Sequence, residues 1–447
     1  MPEIPEISSG DTAWVLISSA LVLFMTPGLA LFYGGLVRSK NVLGTIMHSF
    51  MMLGVISVQF AIIGYTLAFG PDHGGLIGGL DWAFLKDVSI TEANQAYAPT
   101  IPHQTYMIFQ MMFAVITPAL ITGAFAERAK FSTFLVFMVL WATIVYDPIA
   151  HWVWGSGGWL LKRGALDFAG GTVVHISAGV SALVAAWFLG PRRDYRRAPI
   201  APHNVPLVLL GAGLLWFGWF GFNAGSALAA NGLAAVAFVN TNTAAAAALV
   251  TWAGLDLART GKITAVGAAT GLVVGLVGIT PAAGYVTPLS GLLIGVLAAG
   301  VSYTAIQIRS RTKLDDALDV FSCHGLAGMA GALLTGVFAT KLVNPAGGDG
   351  LLAGNAGQMG VQLLAVLATV AFAAIGTLGI LKLVEVTIGA RANIPEETAG
   401  LDLSQHGEEA YFGNDLGGLA GTGGSLGGSV VVESFVVEPT TAPEPAV

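Results

Sequence analysis

The sequence predicts an all-α integral membrane protein of eleven transmembrane helices, with its N-terminus outside and its C-terminus inside. Three observations predict it. Of 447 residues, 55% are hydrophobic and only 10% are charged, against about 25% charged in soluble domains. Apolar runs long enough to cross about 30 Å of hydrocarbon recur along the chain. The basic residues then sort between alternate loops.

The runs fall near 12–37, 43–69, 103–127, 131–153, 169–190, 204–224, 234–258, 263–280, 283–307, 317–340 and 358–389. The first follows "MPEIPEISSGDTAWVLISS", which holds two glutamates and no basic n-region. It reads as a retained helix, not a cleaved signal peptide. The eighth and ninth runs are divided only by Thr280, Pro281, Gly284 and Pro288. "GLVVG" at Gly271–Gly275 and "GLLIG" at Gly291–Gly295 carry small residues four apart, a spacing that lets helices pack closely in lipid.

With the N-terminus outside, the loops after odd helices hold Arg38, Lys40, Arg128, Lys130, Arg192, Arg193, Arg196, Arg197, Arg259, Lys262, Arg309, Arg311 and Lys313. With Lys382 and Arg391 that side holds 15 of 19 basic residues. Lys86, Lys162, Arg163 and Lys341 remain on the other. The split is a positive-inside signal. The chain divides into a membrane domain, 1–389, and a cytoplasmic tail, 390–447. The tail's glycine- and proline-rich distal part reads as disordered. Net charge is −7 and no basic patch stands out, so no nucleic-acid partner is expected. A single cysteine, Cys323, excludes an internal disulfide. No cofactor is expected.

The polar residues carry a repeat. Asp167 precedes His175 by eight positions, and Asp316 precedes His324 by the same eight. The first pair opens the fifth helix from outside, the second the tenth helix from inside. The chain therefore reads as two inverted five-helix repeats, about 12–190 and 204–340, plus a final helix 358–389; this is a transporter architecture. Eight helical residues rise about 12 Å, which puts both rings near the midplane of a core about 30 Å thick. An intramembrane histidine alone is as often a packing residue as a functional one; matched spacing in opposite repeats favours function. Each aspartate stands where a carboxylate caps a helix N-terminus.

Aromatic residues gather at the outer helix ends. Phe109 and Phe113 lie one turn apart early in the third helix, Trp154 ends the fourth, and Phe222 with Ser226 ends the sixth. Aromatic faces attract desolvated cations, although interfacial aromatics are also common membrane anchors.

Over about residues 12–411 the chain resembles the ammonium transporter family (Amt/Mep/Rh). "DFAGGTVVHISAG" resembles the family signature, and "TPGLALFYGGLV", "ITGAFAERAKFS", "FGWFGFNAGSAL", "DVFSCHGLAG" and "LDLSQHGEEAY" resemble further family segments. The resemblance implies a homotrimer in the cytoplasmic membrane, each subunit with its own pore for ammonium or ammonia. It implies that His175 and His324 are twin pore histidines, and that Phe113 and Phe222 form a phenyl gate. Phe113, Trp154 and Ser226 would recruit the cation. Asp167, Asp316 and Phe109 would support the site. The interval from Trp154 to Asp167 is one residue longer than in well-known bacterial members, which leaves Trp152 and Trp159 as alternatives. A PII-type regulator at "GPRRDYRRAP" and "DLSQHGEEAY" is also implied.

The expected function is ammonium uptake by recruitment, deprotonation and ammonia conduction, and the chain is not expected to be an enzyme. The same fold also suits an ammonium sensor or a neutral gas channel for ammonia or carbon dioxide. A membrane metalloenzyme using the two histidines is the reading from another class, and it lacks the usual third ligand.

Overall fold

The computed structural model describes residues 6–198 and 200–411. The glycine-rich distal tail, expected to be disordered, lies outside the described residues. Eleven apolar helices follow one another: α1 (Ser9–Leu36), α2 (Ser39–Phe69), α3 (His103–Phe125), α4 (Phe131–Lys162), α5 (Gly171–Leu189), α6 (Val205–Ala227), α7 (Gly232–Thr260), α8 (Ala265–Ile279), α9 (Pro288–Arg309), α10 (Phe321–Phe338) and α11 (Gly357–Thr387). By length and composition ten of them are able to cross a membrane; α8, at 15 residues, is the shorter one. A short helix, α12 (Ile394–Ala399), follows.

The helix starts are chemical. Asn204, Asn231 and Thr264 cap α6, α7 and α8 through side-chain oxygens that accept from the first-turn amides. The ninth helix begins at Pro288, not at 283 as the apolar run suggests. Residues 281–285 form turns, Thr287 caps the helix, and Pro288 takes its first position, where a missing N–H costs nothing.

α1 packs lengthwise on α6, and α7 packs on both α8 and α9. The glycine pairs read from the sequence serve this second cluster. A Cβ on Gly271 would lie 2.4 Å from Trp252 Cβ, and one on Gly295 would lie 2.3 Å from the Ala244 carbonyl.

The decisive crossing joins α5 and α10. A Cβ on Gly179 would lie 2.2 Å from the Gly325 nitrogen, and one on Gly328 would lie 3.0 Å from His175 Cβ. Backbone meets backbone here, beside both histidines. The first turns of these two helices, Gly171–Ile176 and Phe321–Leu326, are π-helical. So are Phe60–Gly64 in α2 and Ala142–Tyr146 in α4. Such widened turns cluster at functional positions.

Asp167 and Asp316 do not form the first residues of their helices, as an unbroken eight-residue rise assumes. The helices start at Gly171 and Phe321, and the aspartates stand ahead as caps. Asp167 accepts from the amides of Gly170 (2.9 Å), Gly171 (2.6 Å), Thr172 (2.8 Å) and Val173 (3.2 Å), and from the Thr172 hydroxyl. Asp316 Oδ2 accepts from the Phe321 amide at 2.8 Å, while its Oδ1 is buried without a hydrogen-bond partner among the described residues. Burial pushes the Asp316 carboxyl above the usual range.

At one end of the bundle the basic loops interlock. Glu127 binds Arg38 and Arg192, and Asp315 binds Arg192 and Arg128. Burial alone would raise the Glu127 carboxyl; the Arg192 and Arg38 guanidiniums outweigh it and hold the group below its ordinary value. The proximal tail straps onto this end. Arg391 pairs with Glu397, and Asp402 accepts from the Leu43 and Gly44 amides at 3.0 and 2.8 Å. Arg192, within the loop expected to meet a regulator, is thus spent internally.

Gly179→Ala drives a methyl into the Gly325 backbone. The expected cost is about 1–3 kcal/mol, read as a lowered unfolding temperature in detergent. Gly300→Ala, with nothing within 4 Å, is expected to be silent. Asp167→Ala strips several caps at once and is expected to cost at least the ~1–2 kcal/mol of a lost N-cap. Asp316→Ala should cost less; equal losses in the two variants would contradict this reading of the caps.

Candidate functional site: a closed aromatic and histidine stretch between two cavities

The site is assembled by α3, α4, α5, α6 and α10. α3 carries Phe109 and Phe113, one turn apart, with ring centroids separated by 5.0 Å. α6 carries Trp219, Phe222 and Ser226 on successive turns. Phe113 and Phe222 meet at 4.4 Å between centroids. Trp154, in α4, stands edge-on to Phe113 at 5.8 Å, and its indole N–H donates to the Asp167 carbonyl at 2.8 Å.

A cavity of about 400 Å³ opens on one side of the phenyl pair, lined by Gln110, Phe113, Trp154, Asp167 and Ser226, among others. Trp154 therefore faces this space. Trp152 instead packs on Phe372, and its N–H goes to the Leu76 carbonyl. Ser226 Oγ donates to the Phe222 carbonyl at 2.8 Å, so its lone pairs are left for a donor from the cavity. The oxygens of Asp167 are taken by the caps described above.

Behind the phenyl rings the path narrows. A void of about 10 Å³, room for roughly one water, is lined by Leu215, Trp219, Phe222, His175 and His324, among others. His175 and His324 are buried at 0% and 3% exposure. Their Nδ1 atoms face each other at 3.4 Å, with ring centroids 5.4 Å apart. That is long for a hydrogen bond. A bond between two Nδ1 atoms requires opposite tautomers: one ring donates through Nδ1 and keeps a free Nε2 acceptor, and the other keeps an Nε2–H donor. His175 Nε2 has no partner among the described residues.

Beyond His324 a cavity of about 440 Å³ opens at the end that holds the basic loops. Cys323, Asp319, Arg309 and Arg192 help to line it. Asp319 pairs with Arg309 at 2.7 Å. Burial pushes its carboxyl up to about 7 despite that cation.

Of the residues singled out in the sequence, eight line the cavities and the closed stretch or pack against their rings, and Asp316 caps α10. Phe109 supports from behind, under Gly225. Several neighbours were missed. Trp219 stacks on His175 at 5.4 Å and donates to Thr280 Oγ1 at 2.9 Å; its place one turn before Phe222 was the available signal. Gln110 bears the same one-turn relation to Phe113 on one side and Tyr106 on the other.

Comparison with known proteins follows this geometry. A model of the Ammonium Transporter Family matches residues 13–411. The ammonium transporter of Bacillus subtilis (strain 168) is 51% identical over 403 residues, spanning 90% of this chain and 98% of that one. The ammonium transporter of Aquifex aeolicus (strain VF5) is 48% identical, over 91% and 94%. Among solved structures, Saccharomyces cerevisiae Mep2 aligns with a TM-score of 0.81 at 37% identity, over 87% of this chain and 89% of that one. A protein described as a sensor Amt protein aligns with a TM-score of 0.81 at 32% identity, over 89% and 98%. With its many apolar helices, this chain is a multi-pass membrane protein and belongs to the ammonium transporter family.

Proposed function

We propose that the protein takes up ammonium by recruiting the cation in the outer cavity, stripping a proton, and passing ammonia along the histidine pair. The observation that carries this reading is the closed apolar stretch between two cavities, broken only by His175 and His324. Ammonium, like a lysine amine, is nearly all charged at neutral pH. Carrying the intact cation to mid-bilayer costs several kcal/mol. The faces of Phe113 and Trp154 and the Ser226 hydroxyl replace part of its water; aromatic faces supply roughly 1–2 kcal/mol once desolvated. Potassium offers no N–H to that hydroxyl, which favours ammonium. Past the phenyl gate, desolvation favours the neutral form. The histidine pair then offers ammonia one free acceptor and one donor, and opposite tautomers suit it to relay a proton.

In this reading α8 crosses the membrane with the other ten helices, giving eleven spans. The interlocked basic loops mark the cytoplasmic end. The matched caps and π-turns of α5 and α10 are what two inverted repeats would produce. Three copies form the functional unit, and a PII-type protein meets the exposed part of the inner loops, not Arg192. Among the described residues no third histidine, cysteine or carboxylate joins the histidine pair, which leaves a metal short of ligands.

Purified protein in liposomes, given an ammonium step, is expected to carry a sustained current that sodium and potassium do not evoke. Luminal alkalinisation without current would make it a neutral ammonia channel. Neither signal would favour the sensor, to which the likeness with the sensor Amt protein lends support. His175→Ala and His324→Ala are each expected to abolish ammonium-selective current; potassium-excluding flux that persists unchanged in either would sink the relay.

A further inference from the structure

Away from the path itself, a cluster of polar contacts beside the end of the helical stretch that carries Trp154 centres on Asp72. It lies in a small hairpin after α2, formed by β1 (Asp72–His73) and β2 (Ile77–Gly78). Asp72 Oδ1 accepts from the Gly75 amide at 2.6 Å and faces His151 Nε2 at 3.0 Å. Its Oδ2 faces Lys162 Nζ at 3.3 Å. The other ring nitrogen of His151, Nδ1, lies 2.9 Å from the Ala68 carbonyl. Both partners of this buried ring are acceptors, and a neutral imidazole has one N–H. The ring is thus held between the hairpin carboxylate and the Ala68 carbonyl.

His151 is three residues before Trp154, in the last turn before the helix breaks. That turn is tied down repeatedly. Trp152 donates to Leu76 in the hairpin, and the Trp159 amide donates to the Gly75 carbonyl at 3.1 Å. Gly157, at φ +103°, passes so close that a Cβ would lie 2.5 Å from Asp72 Cβ. The hairpin is therefore wedged into the chain reversal that follows Trp154. Neither Asp72 nor His151 lines the outer cavity, whereas Trp154 does.

We propose that the Asp72–His151 pair is a positioning clamp for Trp154: it fixes the last helical turn so that the indole faces the outer cavity, and so sets the affinity of cation recruitment without touching the cation. The clamp rests on the reading of Trp154 as part of the recruitment site. Substitution at Asp72 thus acts on the first binding event and spares the conducting stretch.

The test measures ammonium-evoked flux against concentration, in liposomes holding the full-length protein. It compares wild type, Asp72→Leu, Asp72→Asn, Trp154→Leu and the Asp72→Leu/Trp154→Leu double variant. Asp72→Leu is expected to raise the half-saturating concentration roughly 3- to 10-fold, the worth of one such bond, with maximal flux per inserted protein little changed. Asp72→Asn should recover only part of the shift: its amide can donate to Nε2 of a neutral ring while Nδ1 keeps Ala68, but that NH2 can no longer accept from the Gly75 amide. The double variant should be no worse than Trp154→Leu alone, since both act through one indole. Asp72→Leu and Asp72→Asn that both cut maximal flux at unchanged half-saturation would overturn the clamp and leave a purely structural role. Additive shifts in the double variant would overturn it too. If Trp154→Leu leaves half-saturation unchanged, the recruitment reading itself fails and takes the clamp with it; if Trp154→Leu shifts it and Asp72→Leu does not, the clamp alone fails.

Discussion

Everything on the path depends on how closely α5 and α10 approach. Two helices whose side chains interdigitate ordinarily keep their axes 8–10 Å apart. Here Gly179 lies against the Gly325 backbone, and Gly328 lies beneath His175. The absence of Cβ atoms lets the chains touch, and imidazole rings on adjacent positions come within contact distance. No hydrophobic force draws helices together in lipid, so this packing must come from surface fit. The same glycines that look like filler in composition thus set the position of the two histidines on the closed stretch.

The rest of the path follows from the contrast that this crossing creates. Polar side chains and open volume lie on either side, and a stack of phenyl, indole and imidazole rings lies between. Three of these rings are braced by neighbours. Trp154 is held by the Asp167 carbonyl, Trp219 by Thr280, Phe113 by Phe109 and Phe222. These rings leave a void of only about 10 Å³ beside the histidines, room for roughly one water.

The opposite strategy holds the basic end. Glu127, Asp315, Arg38, Arg128 and Arg192 share charges in one network. Buried ion pairs are weak evidence for stability, since desolvation offsets much of their attraction. Their value here is geometric. They fix the connections after α1, α3, α5 and α9 around the mouth of the second cavity, and Arg391, Glu397 and Asp402 fasten the proximal tail beside it.

The sequence by itself determined the element list, because a membrane span is a matter of length and hydropathy and needs no partner. It also determined the two Asp–His pairs, since spacing survives translation along the chain. Boundaries were less legible where turns interrupt an apolar run: Pro288 displaced the start of α9, and α5 and α10 begin at Gly171 and Phe321, a few residues after the runs from 169 and 317. Only the tertiary structure decided which aromatic at the end of α4 faces the cavity. Trp152, Trp154 and Trp159 are alike as sequence, and a hairpin some 80 residues earlier selects among them through Asp72 and Leu76. It also decided that Trp219 belongs to the path and that Arg192 serves the interior. These are relations between distant segments, and local periodicity holds no record of them. Contact between two residues is fixed by packing of the whole bundle, whereas burial of one residue in lipid is fixed by its own chemistry.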